Sequence, residues 1–302
     1  MMNGIAKPRV WKSILFASAA TAATALASEP LVALITSGRP ADYYSHIPLI
    51  PVVSAYVFFR RRKKLSWDGS GSPFLGIMVM ALGFGLVMFD LSGSFDLVPH
   101  AELRVGGSLL MLYGSFLALY GTSAFRKVLF PLIFLVFLIP LPLTWMRYVV
   151  SALVTSSIGA THLLFRAFGI PFFQTGPIFY LPGFDIEVAQ ECSGIRSSLA
   201  LLITSVLAGQ IFLKGPWKKL AFAAAVFPVT VLKNAIRILT LYLLSYFIDI
   251  RIIRGGFLHR SGGFIFFGVG LIIMAYILWL LKSPREALER VKRMLSSPQN
   301  RP

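Results

Sequence analysis

The stretch Gln190 to Ser198 gathers groups suited to nucleophilic chemistry: Glu191, Cys192, Ser193, Arg196, Ser197 and Ser198. Cys192 is the only cysteine of the chain. It stands where a polar segment gives way to an apolar run from Ile195, which puts it at a helix N-terminus. Two effects there favour ionisation: the positive end of the helix dipole and the guanidinium of Arg196, four residues on. The thiolate, not the thiol, is the nucleophile. A lone cysteine also has a plainer reading, as a small buried hydrophobe. Glu191 either receives a basic substrate group or opposes ionisation of the thiol by like-charge repulsion.

Two further sites carry polar chemistry in apolar surroundings. Lys233, Asn234 and Arg237 fall inside a long apolar helix over about 220–248, and His259 precedes the last apolar run. An ionisable group within a span costs roughly 3 kcal/mol or more and usually marks function. Snorkelling to the headgroups is the alternative for Arg237. Helix–helix adhesion is the alternative for Asn234, and an interfacial position the alternative for His259. Arg196 either orients substrate or faces lipid headgroups. His46, His100 and His162 show no partner pattern and read as structural.

The elements that must position these groups are membrane spans. Of 302 residues, 56% are hydrophobic, and the mean hydropathy is +0.75, far above a soluble globular chain. The net charge of +17 would suggest nucleic acid in a soluble protein. Here the cations cluster at the ends of apolar runs, where they set topology instead, so no nucleic-acid partner is expected. A single cysteine excludes an intramolecular disulfide. No His-Glu-x-x-His helix or other His/Cys cluster of ligand spacing occurs, so no metal and no cofactor is expected.

The expected fold is an all-α polytopic membrane protein of about eight spans. They lie at about 13–37, 47–59, 73–91, 105–123, 128–145, 195–213, 220–248 and 264–281. The first resembles a signal peptide, with an Ala25-Leu26-Ala27 site, but reads as an uncleaved helix because apolar character resumes at Leu31. Residues 147–168 are set aside as an interfacial or re-entrant helix, since only then do the charges alternate correctly. Gly176-Pro177, Pro182-Gly183 and the alternation Asp185-Ile186-Glu187-Val188 predict a small β-hairpin over 170–191. The chain thus reads as one integral membrane domain, 1–282, with a short basic tail, 283–302.

Arg60–Lys64, Arg126–Lys127, Lys214–Lys219 and both termini belong inside by the distribution of positive charge. Cys192 then faces outward. The helix from Leu220 starts inside, and Arg237 is seventeen residues on, roughly 26 Å at ~1.5 Å per residue. That is most of a ~30 Å hydrocarbon core, so Arg237 reaches the depth of Cys192. Asn234 lies one turn deeper on the same face. His259 is expected at the same outer surface.

With these residues placed, the chain resembles the exosortase/archaeosortase family. The carriers are Glu191-Cys192-Ser193-Gly194-Ile195-Arg196-Ser197 at a helix start, Asn234-Ala235-Ile236-Arg237-Ile238 with Pro228 upstream, and His259 before a glycine-rich final span. The hairpin and the Trp217-Lys218-Lys219 turn are also similar, and the core resemblance covers about 125–282. It implies a bacterial inner-membrane, multi-pass cysteine transpeptidase with its site on the extracytoplasmic side. Its partners would be exported proteins bearing a C-terminal Pro-Glu-Pro-type motif, a transmembrane helix and a basic tail. Cys192, Arg237 and His259 are the implied catalytic residues, and a histidine in third place looks like the bacterial branch. Glu191, Arg196, Asn234, Arg254 and Arg260 are supporting candidates. Arg251, Arg254 and Arg260 either attract the acidic residue of the sorting motif or contact headgroups. A transporter or flippase for an anionic substrate is the competing class. A paired-aspartate protease lacks its second aspartate, because Asp90 is the only aspartate clearly inside a span.

Overall fold

The computed structural model describes residues 6–36, 44, 46–61, 71–92, 100–188, 194–249 and 257–282. Two compact units divide the chain, Met1–Trp145 and Met146–Pro302.

The first unit contains α1 (Ala6–Thr36), α2 (Leu49–Arg61), α3 (Pro73–Leu91), α4 (Ala101–Lys127), α5 (Leu129–Phe134) and a 3₁₀ turn, Leu135–Leu138. Lipid tails are as apolar as leucine, so these helices associate by close packing rather than by hydrophobic burial. The antiparallel pair α3 and α4 does this through glycine. A Cβ on Gly76 would lie 2.4 Å from the Ala118 nitrogen, one on Gly83 2.5 Å from the Gly107 oxygen, and one on Gly114 2.6 Å from the Gly76 oxygen. Near the end of α4 the helix kinks at Gly121, whose φ of 80° and ψ of 171° suit a residue without a Cβ. Around the kink, Phe116, Tyr120, Ala124, Val128 and Leu132 form a buried cluster that also takes Phe16 and Phe58.

Asp90, the carboxylate inside α3, has a partner. Arg104 of α4 donates through Nε to Asp90 Oδ2 at 2.7 Å and through Nη1 to Glu29 Oε2 of α1 at 2.6 Å. The Asp90 side chain is 2% exposed. This ion pair accounts for the intramembrane acid as structure.

The second unit holds most of α6 (Leu143–Ala167), three strands, then α7 (Ile195–Phe212), α8 (Pro216–Ala224), α9 (Val226–Phe247) and α10 (Phe257–Leu281). The expected hairpin is a three-stranded antiparallel meander in the order β1 (Phe173–Thr175), β2 (Ile178–Leu181), β3 (Phe184–Glu187). The β2–β3 register pairs Phe179 with Ile186 and Tyr180 with Asp185. At three residues, β1 is too short to show a period in sequence. The helix expected over 220–248 divides at Ala225 into α8 and α9. Pro228 has no N–H to give the Ala224 carbonyl, and the ladder breaks there.

Among the described residues, seven helices are long and apolar enough to cross a membrane, in keeping with an all-α polytopic membrane protein. Two expected spans fall short. α2 has 13 residues, about 20 Å of helix. The run at 128–145 gives only a ten-residue apolar helix, Leu129–Leu138, which ends before Pro140 and Pro142. Thr144–Ala167 also has the length and composition to cross, so length permits a crossing where charge alternation reads an interfacial or re-entrant helix. Charge alternation had set it aside, but its 25 continuous helical residues extend about 37 Å. Large apolar side chains such as Phe74, Ile77, Phe264, Ile272 and Trp279 stay exposed along the spanning helices, the pattern of lipid-facing surface.

Candidate active site

The approach to the cysteine is anchored by the meander. Its inward residues Phe179, Leu181, Ile186 and Val188 are buried against Phe165 of α6 and Ile238, Leu239 and Tyr242 of α9. The alternate residues Asp185 and Glu187 stay exposed, as a pleated strand dictates. Phe165 meets Phe179 edge to face, with ring centroids 5.4 Å apart. His162 of α6 shares a 2.8 Å hydrogen bond with Gln174 of β1, and Gln174 donates on to the Gly176 carbonyl. That is the structural role expected for His162. Val188, last before the cysteine segment, donates its N–H to the Pro177 carbonyl at 2.9 Å.

Beyond that segment the chain is held again at Gly194, which precedes α7 in a left-handed conformation, φ 71° and ψ 17°. Its carbonyl accepts three hydrogen bonds: from the Ser198 N–H at 2.9 Å, Ser197 Oγ at 2.8 Å and Ser198 Oγ at 2.9 Å. Both serines thus serve the first turn of the helix. Ser197 Oγ accepts in turn from Lys233 Nζ of α9.

α9 presents the other half of the site. Thr230, Lys233, Asn234 and Arg237 recur at i, i+3, i+4 and i+7 and share one helix face. Thr230, Lys233 and Asn234 are buried, and Arg237 is half-buried. A Cβ on Gly194 would lie 3.4 Å from Lys233 Nζ and 4.0 Å from Asn234 Oδ1, so the start of α7 rests on this face. The Lys233 stem is enclosed as well. A Cβ on Gly270 of α10 would be 3.4 Å from Lys233 Cδ and 3.0 Å from Leu201 Cδ1 of α7. No ion pair between Lys233 and a carboxylate occurs among the described residues. Asn234 Nδ2 and Thr230 Oγ1 are buried with no hydrogen-bond partner among them. Buried polar groups of this kind ordinarily carry hydrogen bonds.

A family model described as transmembrane exosortase matches residues 37–276. The chain belongs to the transmembrane exosortase family. No curated protein and no solved structure matches it. Membership makes this exosortase a multi-pass membrane protein with a transpeptidase-type role in general.

In this exosortase the expected site residues divide into three groups. Asn234 and Arg237 lie on the polar face of α9, and Arg196 is exposed on the first turn of α7. Cys192, Glu191, Arg251 and Arg254 lie outside the described residues. Positions 259 and 260 lie in the first turn of α10, and the side chains of His259 and Arg260 are outside the description. Gly270 marks the level of Lys233 on α10. From there His259 is eleven residues, about 16 Å, toward the N-terminal end of its helix, and Arg237 is about 6 Å beyond Lys233 along α9. Sequence reasoning named Lys233 and Ser197 but gave neither a role of its own. The available signal was the i, i+4 spacing of Lys233 and Arg237 inside a span, where like charges on one face repel.

Proposed function

We propose that this exosortase is a cysteine transpeptidase acting on exported proteins that carry a C-terminal Pro-Glu-Pro-type sorting signal, a transmembrane helix and a basic tail. The bacterial inner membrane is its location, and the site faces the extracytoplasmic side. One observation carries the reading: the polar face of α9 underlies Gly194, two residues after the only cysteine. Two peptide units limit the Cα separation of Cys192 and Gly194 to about 7 Å.

In this mechanism the Cys192 thiolate attacks the scissile carbonyl carbon and forms the C–S bond. Arg237 stabilises the oxyanion of the tetrahedral intermediate. The C–N bond breaks as His259 gives its proton to the leaving amine, which departs with the transmembrane tail. A thioester remains. His259 then takes a proton from the acceptor's amine, hydroxyl or water, and attack on the thioester returns the thiolate. Glu191, Arg196 and Asn234 support the site, while Arg254 and Arg260 offer positive charge to the acidic residue of the motif.

The test is processing of a tailed substrate by wild type and Cys192→Ser in proteoliposomes. Cleavage lost in Cys192→Ser, with a thioester trapped on the wild type, is the expected result. Full processing by Cys192→Ser overturns the cysteine mechanism, and no processing by the wild type favours a transporter or scaffold.

A further inference from the structure

The acyl-transfer reading leaves Lys233 without a task. Its side chain sits inside a spanning helix at 3% exposure, and Gly270 and Leu201 enclose its stem. A buried ammonium is costly unless it meets an anion or good hydrogen-bond acceptors. The acceptor it meets is Ser197 Oγ. A relay follows from there: the Lys233 ammonium donates to Ser197, and Ser197 donates to the Gly194 carbonyl at 2.8 Å. The ammonium also lies beneath the left-handed Gly194, 3.4 Å from where a Cβ would stand. The α7 dipole adds its positive end at the same point. Beside them the Asn234 amide is buried and unpartnered among the described residues. An anion is what this arrangement would stabilise, two residues downstream of Cys192.

We propose that Lys233 is a positioning residue of the acyl-transfer site: through Ser197 and Gly194 it fixes the start of α7, and its ammonium supplies the positive charge that favours the Cys192 thiolate. This inference rests on the transpeptidase reading. Other charged groups on the elements around Gly194 are Arg196 of α7, Arg237 of α9 and, in sequence, Glu191, His259 and Arg260. Arg237 and Arg196 act in the same direction as Lys233, and Glu191 opposes them.

Because Cys192 is the only thiol, its alkylation is residue-specific and needs no substrate. The rate of iodoacetamide labelling against pH, measured on the full chain in nanodiscs, reads the thiolate fraction directly. Lys233→Met keeps the stem and removes the charge. It is expected to move the rate–pH curve to higher pH and to lower the rate at pH 7 about tenfold, the equivalent of one pKa unit. Ser197→Ala is expected to move the curve the same way by less, and Ser197→Thr, which keeps the hydroxyl, to restore it. A folded Lys233→Met protein whose curve superposes on wild type overturns the proposal. Should Lys233→Met not fold, the serine pair decides: Ala shifted and Thr restored supports it, and Ala superposing on wild type overturns it. Processing by Cys192→Ser would sink the transpeptidase reading alone, while the labelling curves would still report on Lys233, so the two failures are distinguishable.

Discussion

Gly194 and Lys233 meet across two helices: the left-handed glycine before α7 lies over the ammonium of α9, with 3.4 Å between a would-be Cβ and Nζ. A side chain there meets backbone strain more than crowding, since φ is 71°. Left-handed backbone costs an L-residue about 1–2 kcal/mol. Gly194→Ala is expected to loosen the first turn of α7, seen as faster amide hydrogen exchange at Ile195–Ser198. Gly194→Asn should be milder, because asparagine tolerates that region. Equal protection in the alanine variant and wild type would contradict this.

Arg237 has the transition-state role in the proposed mechanism. Arg237→Ala is expected to lower the processing rate by about 10²–10³-fold with little change in thermal unfolding. Arg237→Lys should retain part of the activity, since it keeps charge but loses the planar fork. Near-normal rates in the alanine variant would remove Arg237 from the mechanism.

The α3–α4 contact supplies a test without any substrate. Gly114→Ala puts a Cβ 2.6 Å from backbone oxygen, so the helices must separate. A cost of about 1–3 kcal/mol is expected. Gly85→Ala, where nothing lies within 4 Å, should be neutral. Thermal unfolding in detergent compares the two, and equal midpoints would contradict the packing described.

The Arg104–Asp90 pair makes a different prediction. Asp90→Leu removes one of the two carboxylates of Arg104, which is only 13% exposed and keeps Glu29, and is expected to destabilise by about 1.5–3 kcal/mol. Adding Arg104→Met should recover much of the loss, because two apolar side chains replace the pair. An unrecovered double variant would show that the ion pair itself is needed, through Glu29 or otherwise.

The meander is expected to depend on its buried aromatic contact. Phe179→Ala should cost about 3–5 kcal/mol of local or global stability, because Phe179 is wholly buried against Phe165. Limited proteolysis within 170–190 would report it, and processing should fall with it if the meander aims the cysteine segment. Wild-type resistance to cleavage would show that the strands hold without that contact.

Much of this architecture was legible in one dimension. Apolar runs fix the membrane class because every backbone group in lipid must be satisfied within a helix, and seven such helices are present. The family was legible too, in Cys-Ser-Gly-Ile-Arg-Ser and Asn-Ala-Ile-Arg, and so was the alternation that makes β2 and β3. Length and charge disagree at one segment: Thr144–Ala167 is long and apolar enough to cross, whereas the alternation of positive charge reads it as interfacial. Helix ends at Leu138 and Ala225 depended on where prolines fall in the hydrogen-bond ladder. Only the tertiary structure put Lys233 against Ser197 and Asn234 beside Gly194, because these contacts join α7 to α9, 36 residues apart in the case of the lysine and serine. Periodicity shows which residues share one helix face, whereas helix packing decides which faces meet.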